Sequence, residues 1–208
     1  TRSITFSAGE MVEGSDVTEA TDEADGTKVT WMIDRTVFDE NASYNLEYVT
    51  RMCRYYTYLN TGLTLNLNGK NHVSRNGLLD LLKEEMGSEP LYPPIQLKGE
   101  DIEVVFTHSD QYGEEYYSFA NGQHTTMGGT HQSAFREAIV KTLQNFYKKS
   151  YESADIRASI EAAISIKVIE PLFESQTKTK LGSNTMGPGK ETIRTFVSNF
   201  MAKELDNY

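Results

Sequence analysis

Ala162-Ala163-Ile164-Ser165-Ile166-Lys167-Val168, followed by Gln176-Thr177-Lys178-Thr179-Lys180-Leu181-Gly182, is the stretch that decides the fold. Ala162, Ile164, Ile166 and Val168 alternate with Ala163, Ser165 and Lys167, the period of two of a strand with one face turned inward. That strand leads to a turn bearing two lysines and a glutamine. Lysine is a compact cation with three donors on a long stem, and a glutamine amide adds a neutral hydrogen bond, so together they suit a terminal phosphate. Spacing alone would equally describe an ordinary solvated loop.

Working outward, the Gly128-Gly129 pair permits a tight turn, and Thr130 is placed to N-cap a helix starting near His131. Phe135, Ile139, Leu143 and Phe146 recur at helical spacing, so Gln132 to Lys149 is expected to be one long helix. Further upstream, Ile102 to Thr107 and Glu115 to Asn121 flank a turn at Tyr112-Gly113 and are expected to form an antiparallel pair. A helix from Tyr44 carries Leu46, Val49, Cys53, Tyr56 and Leu59 on one face and closes at Asn60-Thr61-Gly62. Leu63 to Leu67 alternates, and Asn68-Gly69 offers the type I′ turn into a strand through His72-Val73. A short helix with Leu78, Leu79, Leu81, Leu82 and Met86 follows, halted by Pro90, Pro93 and Pro94. The last helix runs from about Lys190, with Ile193, Phe196, Val197, Phe200 and Met201 inward. At the start, Ser3 to Phe6 and Thr27 to Ile33 read as a hairpin joined by the acidic, solvated stretch Glu10 to Asp25.

Composition narrows the function classes. A chain of 208 residues can bury a proper core. Thirty acidic against twenty basic residues give a net charge of −10, which argues against a surface built throughout to hold nucleic acid. Cys53 is the only cysteine, which excludes a disulfide framework or a thiolate cluster and fits a reducing cytoplasm. His72, His108, His124 and His131 lack metal-ligand spacing, so no metal site is expected. No run is long enough to cross a membrane, and the N-terminus does not read as a signal peptide. Gly128-Gly129-Thr130 lacks the lysine of a phosphate-binding P-loop, and Lys148-Lys149 suits the negative end of the helix that it terminates. The last segment, Ala202 to Tyr208, carries no stop signal, and the chain is expected to be a piece of a longer polypeptide.

Gln176-Thr177-Lys178 with Lys180-Leu181 resembles the QTKxKL signature of the B subunits of type IIA DNA topoisomerases, gyrase and topoisomerase IV. Gly128-Gly129-Thr130-His131 followed by Ala134-Phe135-Arg136 resembles the GGTH and FR segment of that family, and Asp155-Ile156-Arg157 and Leu59-Asn60-Thr61-Gly62 fit it in order. Ser118-Phe119-Ala120-Asn121-Gly122 leans towards the topoisomerase IV type.

The resemblance implies an α+β fold: a transducer domain like domain 2 of ribosomal protein S5 over residues 35–208, preceded over residues 1–34 by a remnant hairpin of a GHKL-type ATPase domain. It implies that Gln176 and Lys178 bind the γ-phosphate of ATP held in the neighbouring ATPase domain, Lys178 acting catalytically. ATP and Mg²⁺ would serve the intact subunit, since this stretch lacks the general-base glutamate, the magnesium-binding asparagine and the ATP lid. Further implied partners are the topoisomerase A subunit, double-stranded DNA held weakly without sequence preference, the ATPase and TOPRIM domains of the same polypeptide, and a second copy on ATP binding. The location implied is cytoplasmic, at the nucleoid. The DNA-linked tyrosine belongs to the A subunit in this family, so none of the twelve here should carry it. A mismatch-repair ATPase and a non-enzymatic interaction module are the rival readings; neither explains all four matches. Whether the reaction is decatenation or supercoiling is not written in these residues.

Overall fold

Two units make up the molecule, Thr1–Tyr44 and Asn45–Tyr208, in a computed structural model that describes all 208 residues. In the first unit, β1 (Arg2–Ser3) pairs with β4 (Val17–Thr18), and β2 (Phe6–Ser7) pairs with β3 (Glu10–Met11). Ala8 and Gly9, both at positive φ, make the turn between β2 and β3. The partner of the first strand is therefore the acidic stretch read as a loop, and Thr27 to Ile33 forms no strand. The ribbon needs no apolar face because nothing in this unit is buried. It is held by backbone pairing and by the bidentate Arg2–Asp16 pair, at 2.7 and 2.9 Å.

The second unit is a five-stranded sheet covered by helices on both faces. Helix α1 (Leu46–Leu59) is capped by Asn45, whose side chain accepts from the Tyr48 amide, and ends at Asn60. The hairpin β5 (Thr64–Leu67) and β6 (Lys70–Val73) closes through Asn68 and Gly69 at φ 51° and 85°, the left-handed pair that a type I′ turn demands. Then follow α2 (Leu78–Glu85), β7 (Ile95–Lys98), β8 (Ile102–His108), β9 (Glu115–Ala120), β10 (Gln123–His124), α3 (Thr130–Tyr147), the short α4 (Ser153–Arg157), β11 (Ile160–Ile166) and α5 (Ile193–Asp206). The sheet order is β10-β9-β11-β8-β7.

The expected β8–β9 pair does not exist, because β11 lies between them. It runs antiparallel to β8, with Ile160 opposite His108 and Ile166 opposite Ile102, and parallel to β9 from Glu161 opposite Glu115 to Ile166 opposite Ala120. The crossover from β9 back to β11 is made through α3, as a parallel neighbour requires. As the central strand, β11 is buried on both faces. Ile160, Ala162, Ile164 and Ile166 join Val104, Phe106, Phe135, Ile139, Val197 and Met201 under α3 and α5, while Ala163 joins Val105, Phe119, Tyr58, Leu78 and Leu82 under α1 and α2. Each fully buried Ile or Leu contributes about 1.5–3 kcal/mol, so these two layers dominate the stability of the unit. Tyr116 and Tyr117 both lie partly buried, packed against opposite layers.

Candidate functional site

The Gln176 to Gly182 loop is a narrow antiparallel excursion with a firm base and an exposed tip. At the base, Gly182 and Ser183 donate to the Leu172 carbonyl at 2.8 and 3.1 Å, the Leu172 amide donates to the Ser183 hydroxyl at 2.8 Å, and Phe173 bridges Leu181. One step further out, the Glu174 amide donates to the Lys180 carbonyl at 3.1 Å, and Lys180 Nζ lies 2.9 Å from Glu174 Oε1. At the tip, the Lys178 amide donates to the Ser175 carbonyl at 3.0 Å, closing a four-residue turn over Gln176 and Thr177. Gln176 and Lys178 are exposed, and Lys178 takes a left-handed φ of 56°. Lys178 forms no ion pair; Lys180 does.

The two sequence blocks separated by some fifty residues are one structure. The Met127 amide donates to the Thr179 carbonyl at 2.9 Å, the Leu181 amide to the Gly128 carbonyl at 3.1 Å, and the Thr130 amide to the Leu181 carbonyl at 3.2 Å. Gly129 makes this approach possible. A Cβ there would lie 2.5 Å from the Leu181 carbonyl oxygen and 2.6 Å from its nitrogen, and the φ of 142° is one that side chains rarely adopt. Gly129, with no side chain to offer, is also the N-cap of α3. Thr130 is therefore not the cap; it is the first helical residue, and its hydroxyl donates to the Ser183 carbonyl at 2.6 Å.

Under this clasp sits His131, completely buried. The Thr125 hydroxyl donates to the Ser118 carbonyl at 2.8 Å, so its oxygen is left to accept from His131 Nε2 at 3.2 Å. His131 Nδ1 has no partner. Burial alone depresses the imidazole to about 4, since a proton there would add a charge and an unpaired donor in an apolar layer. Asn121, at the β9–β10 turn, acts like a length of backbone: its side chain donates to the Val168 carbonyl and accepts from the Val168 amide, both at 2.8 Å. It fixes the end of β11, from which the loop departs.

Comparison with known proteins places this arrangement. Residues 72–208 match the family described as DNA gyrase B. The chain belongs to that family. It is 39% identical over 201 residues to the B subunit of DNA topoisomerase 4 from Borreliella burgdorferi, covering 96% of this chain and 33% of that protein. It is 31% identical over 204 residues to the B subunit of DNA gyrase from Cytophaga hutchinsonii, covering 85% of this chain and 42% of that one. The 43K ATPase domain of Thermus thermophilus gyrase B, solved with an aminocoumarin, superposes with a TM-score of 0.75 at 27% identity, over 99% of this chain and 60% of that one. The chain thus spans about a third of the topoisomerase 4 subunit and about two fifths of the Cytophaga gyrase subunit.

In this gyrase B family member the Gly128 to Arg136 block and a third matched block, Asp155-Ile156-Arg157, meet at one carboxylate. Arg136, from the helix after the clasp, donates to Glu114 at 2.9 and 3.1 Å; Arg157, from α4, donates at 3.2 Å, and the Tyr116 hydroxyl at 2.6 Å. Burial works to raise the Glu114 carboxyl, but the hydrogen bonds from Arg136, Tyr116 and Arg157 outweigh it and hold the group below its usual range. Arg136 and Arg157 also line an open groove of about 470 Å³ with Lys141, Ser133 and Ser153. Asn60, in the fourth block, closes α1 by donating from backbone and side chain to the Tyr56 carbonyl at 3.1 and 2.9 Å. No group of three or more His, Cys, Asp or Glu side chains is gathered as metal ligands would be, and no helix is long and apolar enough to cross a membrane. Glu174 was missed as a contributor to the site by sequence reasoning, and nothing in spacing marks it; Leu181 was named within the signature, but its pairing with the Gly128-Gly129 segment was not read.

Proposed function

We propose that this chain is the transducer region of the ATPase subunit of a bacterial type IIA topoisomerase, with residues 1–34 contributed by the GHKL ATPase domain and residues 35–208 forming an S5 domain 2-like transducer. The observation that carries this reading is the loop tip, an exposed amide and an unpaired ammonium raised on a rigid base. Lys178 would neutralise charge on the γ-phosphate of ATP, and Gln176 would hydrogen-bond it; a cation aimed where charge develops is the main protein contribution to phosphoryl transfer. The fit is chemical: Lys178 has no carboxylate to give up first. Magnesium would be held with the nucleotide by residues outside this chain.

Because the loop belongs to a different domain than the nucleotide pocket, its contact reports whether the γ-phosphate is present, and hydrolysis releases it. The intact subunit would dimerise on ATP binding, capture a DNA duplex without sequence preference, and work with the A subunit and its own TOPRIM domain in the cytoplasm at the nucleoid. The 39% identity to the B subunit of a topoisomerase 4 supports the topoisomerase IV type. By itself the chain binds ATP negligibly, which calorimetry with a non-hydrolysable analogue checks; micromolar affinity would contradict it. In the full-length subunit, Lys178→Ala lowers ATP turnover by about two orders of magnitude, the scale of losing one transition-state contact. Gln176→Ala lowers it less. Normal turnover in Lys178→Ala would end the reading.

A further inference from the structure

Resting on that reading of Lys178, we propose that Glu174 and Lys180 are a positioning pair at the neck of the loop: Glu174 occupies the charge of Lys180, and together they hold the tip so that Lys178 alone is offered to the terminal phosphate of a nucleoside triphosphate. The two lysines are indistinguishable by charge and lie two residues apart. Their surroundings separate them. Lys180 Nζ sits 2.9 Å from Glu174 Oε1, and the same two residues are joined by the backbone bond from the Glu174 amide to the Lys180 carbonyl at 3.1 Å. The neck is therefore closed twice, once by backbone and once by side chains. Between these links lie only Ser175 to Thr179, already bent by the Lys178 amide bond to Ser175 and by the left-handed backbone of Lys178.

A lysine bound to a carboxylate must surrender that partner before it can reach a phosphate, whereas Lys178 surrenders only water. A seven-residue excursion closed at its mouth also has fewer conformations to lose when its tip meets a ligand. Lys180 thus acts through Glu174 and through the loop, without touching the nucleotide. Both side chains are substantially exposed, 40% for Lys180 and 54% for Glu174. The effect is accordingly modest, within the several-fold range that an exposed ion pair supplies.

The test uses the full-length subunit with four variants: Glu174→Ala, Lys180→Ala, the double alanine, and the exchanged pair Glu174→Lys with Lys180→Glu. Each single variant lowers ATP turnover about three- to five-fold, the double variant falls no further, and the exchanged pair returns to within about 1.5-fold of the parent. Thermal midpoints stay together throughout the set. Parent-like or faster turnover in Glu174→Ala overturns the proposal, as does an exchanged pair as slow as Lys180→Ala, since a lysine acting directly cannot be replaced by a carboxylate. Midpoints that drop in step with turnover overturn it too, reducing the pair to a stability element. Lys178→Ala in the same series separates the two claims. If it is slow while the pair variants match the parent, only the positioning pair fails; if it turns over normally, the loop reading itself fails.

Discussion

The tip and the base of one loop are built on opposite principles. Gln176, Thr177 and Lys178 are exposed and held by a single turn bond and by hydroxyl contacts such as that of Ser175 with Thr177 at 2.6 Å. Leu181 and His131 are buried to 1% exposure or less, and the backbone around Leu181 is paired on both sides, with Phe173 and with Gly128 to Thr130. The difference teaches that exposed charge and foundation are separable. Charge sits in water, where it is cheap to keep, and its position is set by the buried and paired atoms beneath it.

The contrast breaks most visibly under acid. With its folded value depressed to about 4 against 6.5 in the unfolded chain, His131 takes up a proton first when unfolded. The contribution of this one group to stability is thus constant above about pH 6.5 and falls as the pH drops towards 4, by up to about 3 kcal/mol. His124, lowered by burial and by Arg51, adds in the same direction, while Glu114 and Asp80, both held below their ordinary values, contribute losses only at more acidic pH. Urea midpoints taken from pH 7.5 to 4.5 should show a shallower slope in His131→Gln than in the parent; identical slopes would refute the buried-base account.

Next in size is Gly129→Ala, expected to cost about 2–3 kcal/mol through the clash with the Leu181 backbone and the unfavourable φ. A parent-like denaturant midpoint would show that the clasp yields easily. Thr130→Val, which strips the hydroxyl from the Ser183 carbonyl, costs about 1 kcal/mol in the same titration. Smallest is Lys178→Ala, within about 0.5 kcal/mol of the parent in stability. A larger loss would mean that the tip is part of the foundation, and the comparison would collapse.

Much of this was legible because local signals and tertiary need agree. The alternation of Ala162 to Val168 marks a strand, Asn68-Gly69 a hairpin and Phe135 to Phe146 a helix, and each is there. The family signature likewise drew attention to Gln176 and Lys178. What failed is what only the sheet decides. Ala163 and Ser165 read as an outward face, yet the small alanine leaves room for the second helical layer, and Ala163 is buried. The nearby turn at Tyr112-Gly113 suggested that β8 and β9 pair with each other; a strand arriving some forty residues later takes the place between them. In the first unit the Ala8-Gly9 turn went unread because an exposed ribbon carries no apolar alternation to announce it. The Gly129–Leu181 clasp could not be read from either segment alone.

The late arrival of β11 also sets an order of events at the ribosome. Until residues 160–166 emerge, β8, paired with β7, and β9, paired with β10, each keep one open row of amides and carbonyls, and the two halves of the layer beneath α3 are not joined. A nascent chain at that stage is sticky along two edges at once, the condition that invites mispairing with another chain. One seven-residue strand then closes both edges in a single step. Closing those two edges thus waits on the passage of β11, with the signature loop following behind it and α5, which completes the layer over Ile160 to Ile166, last of all.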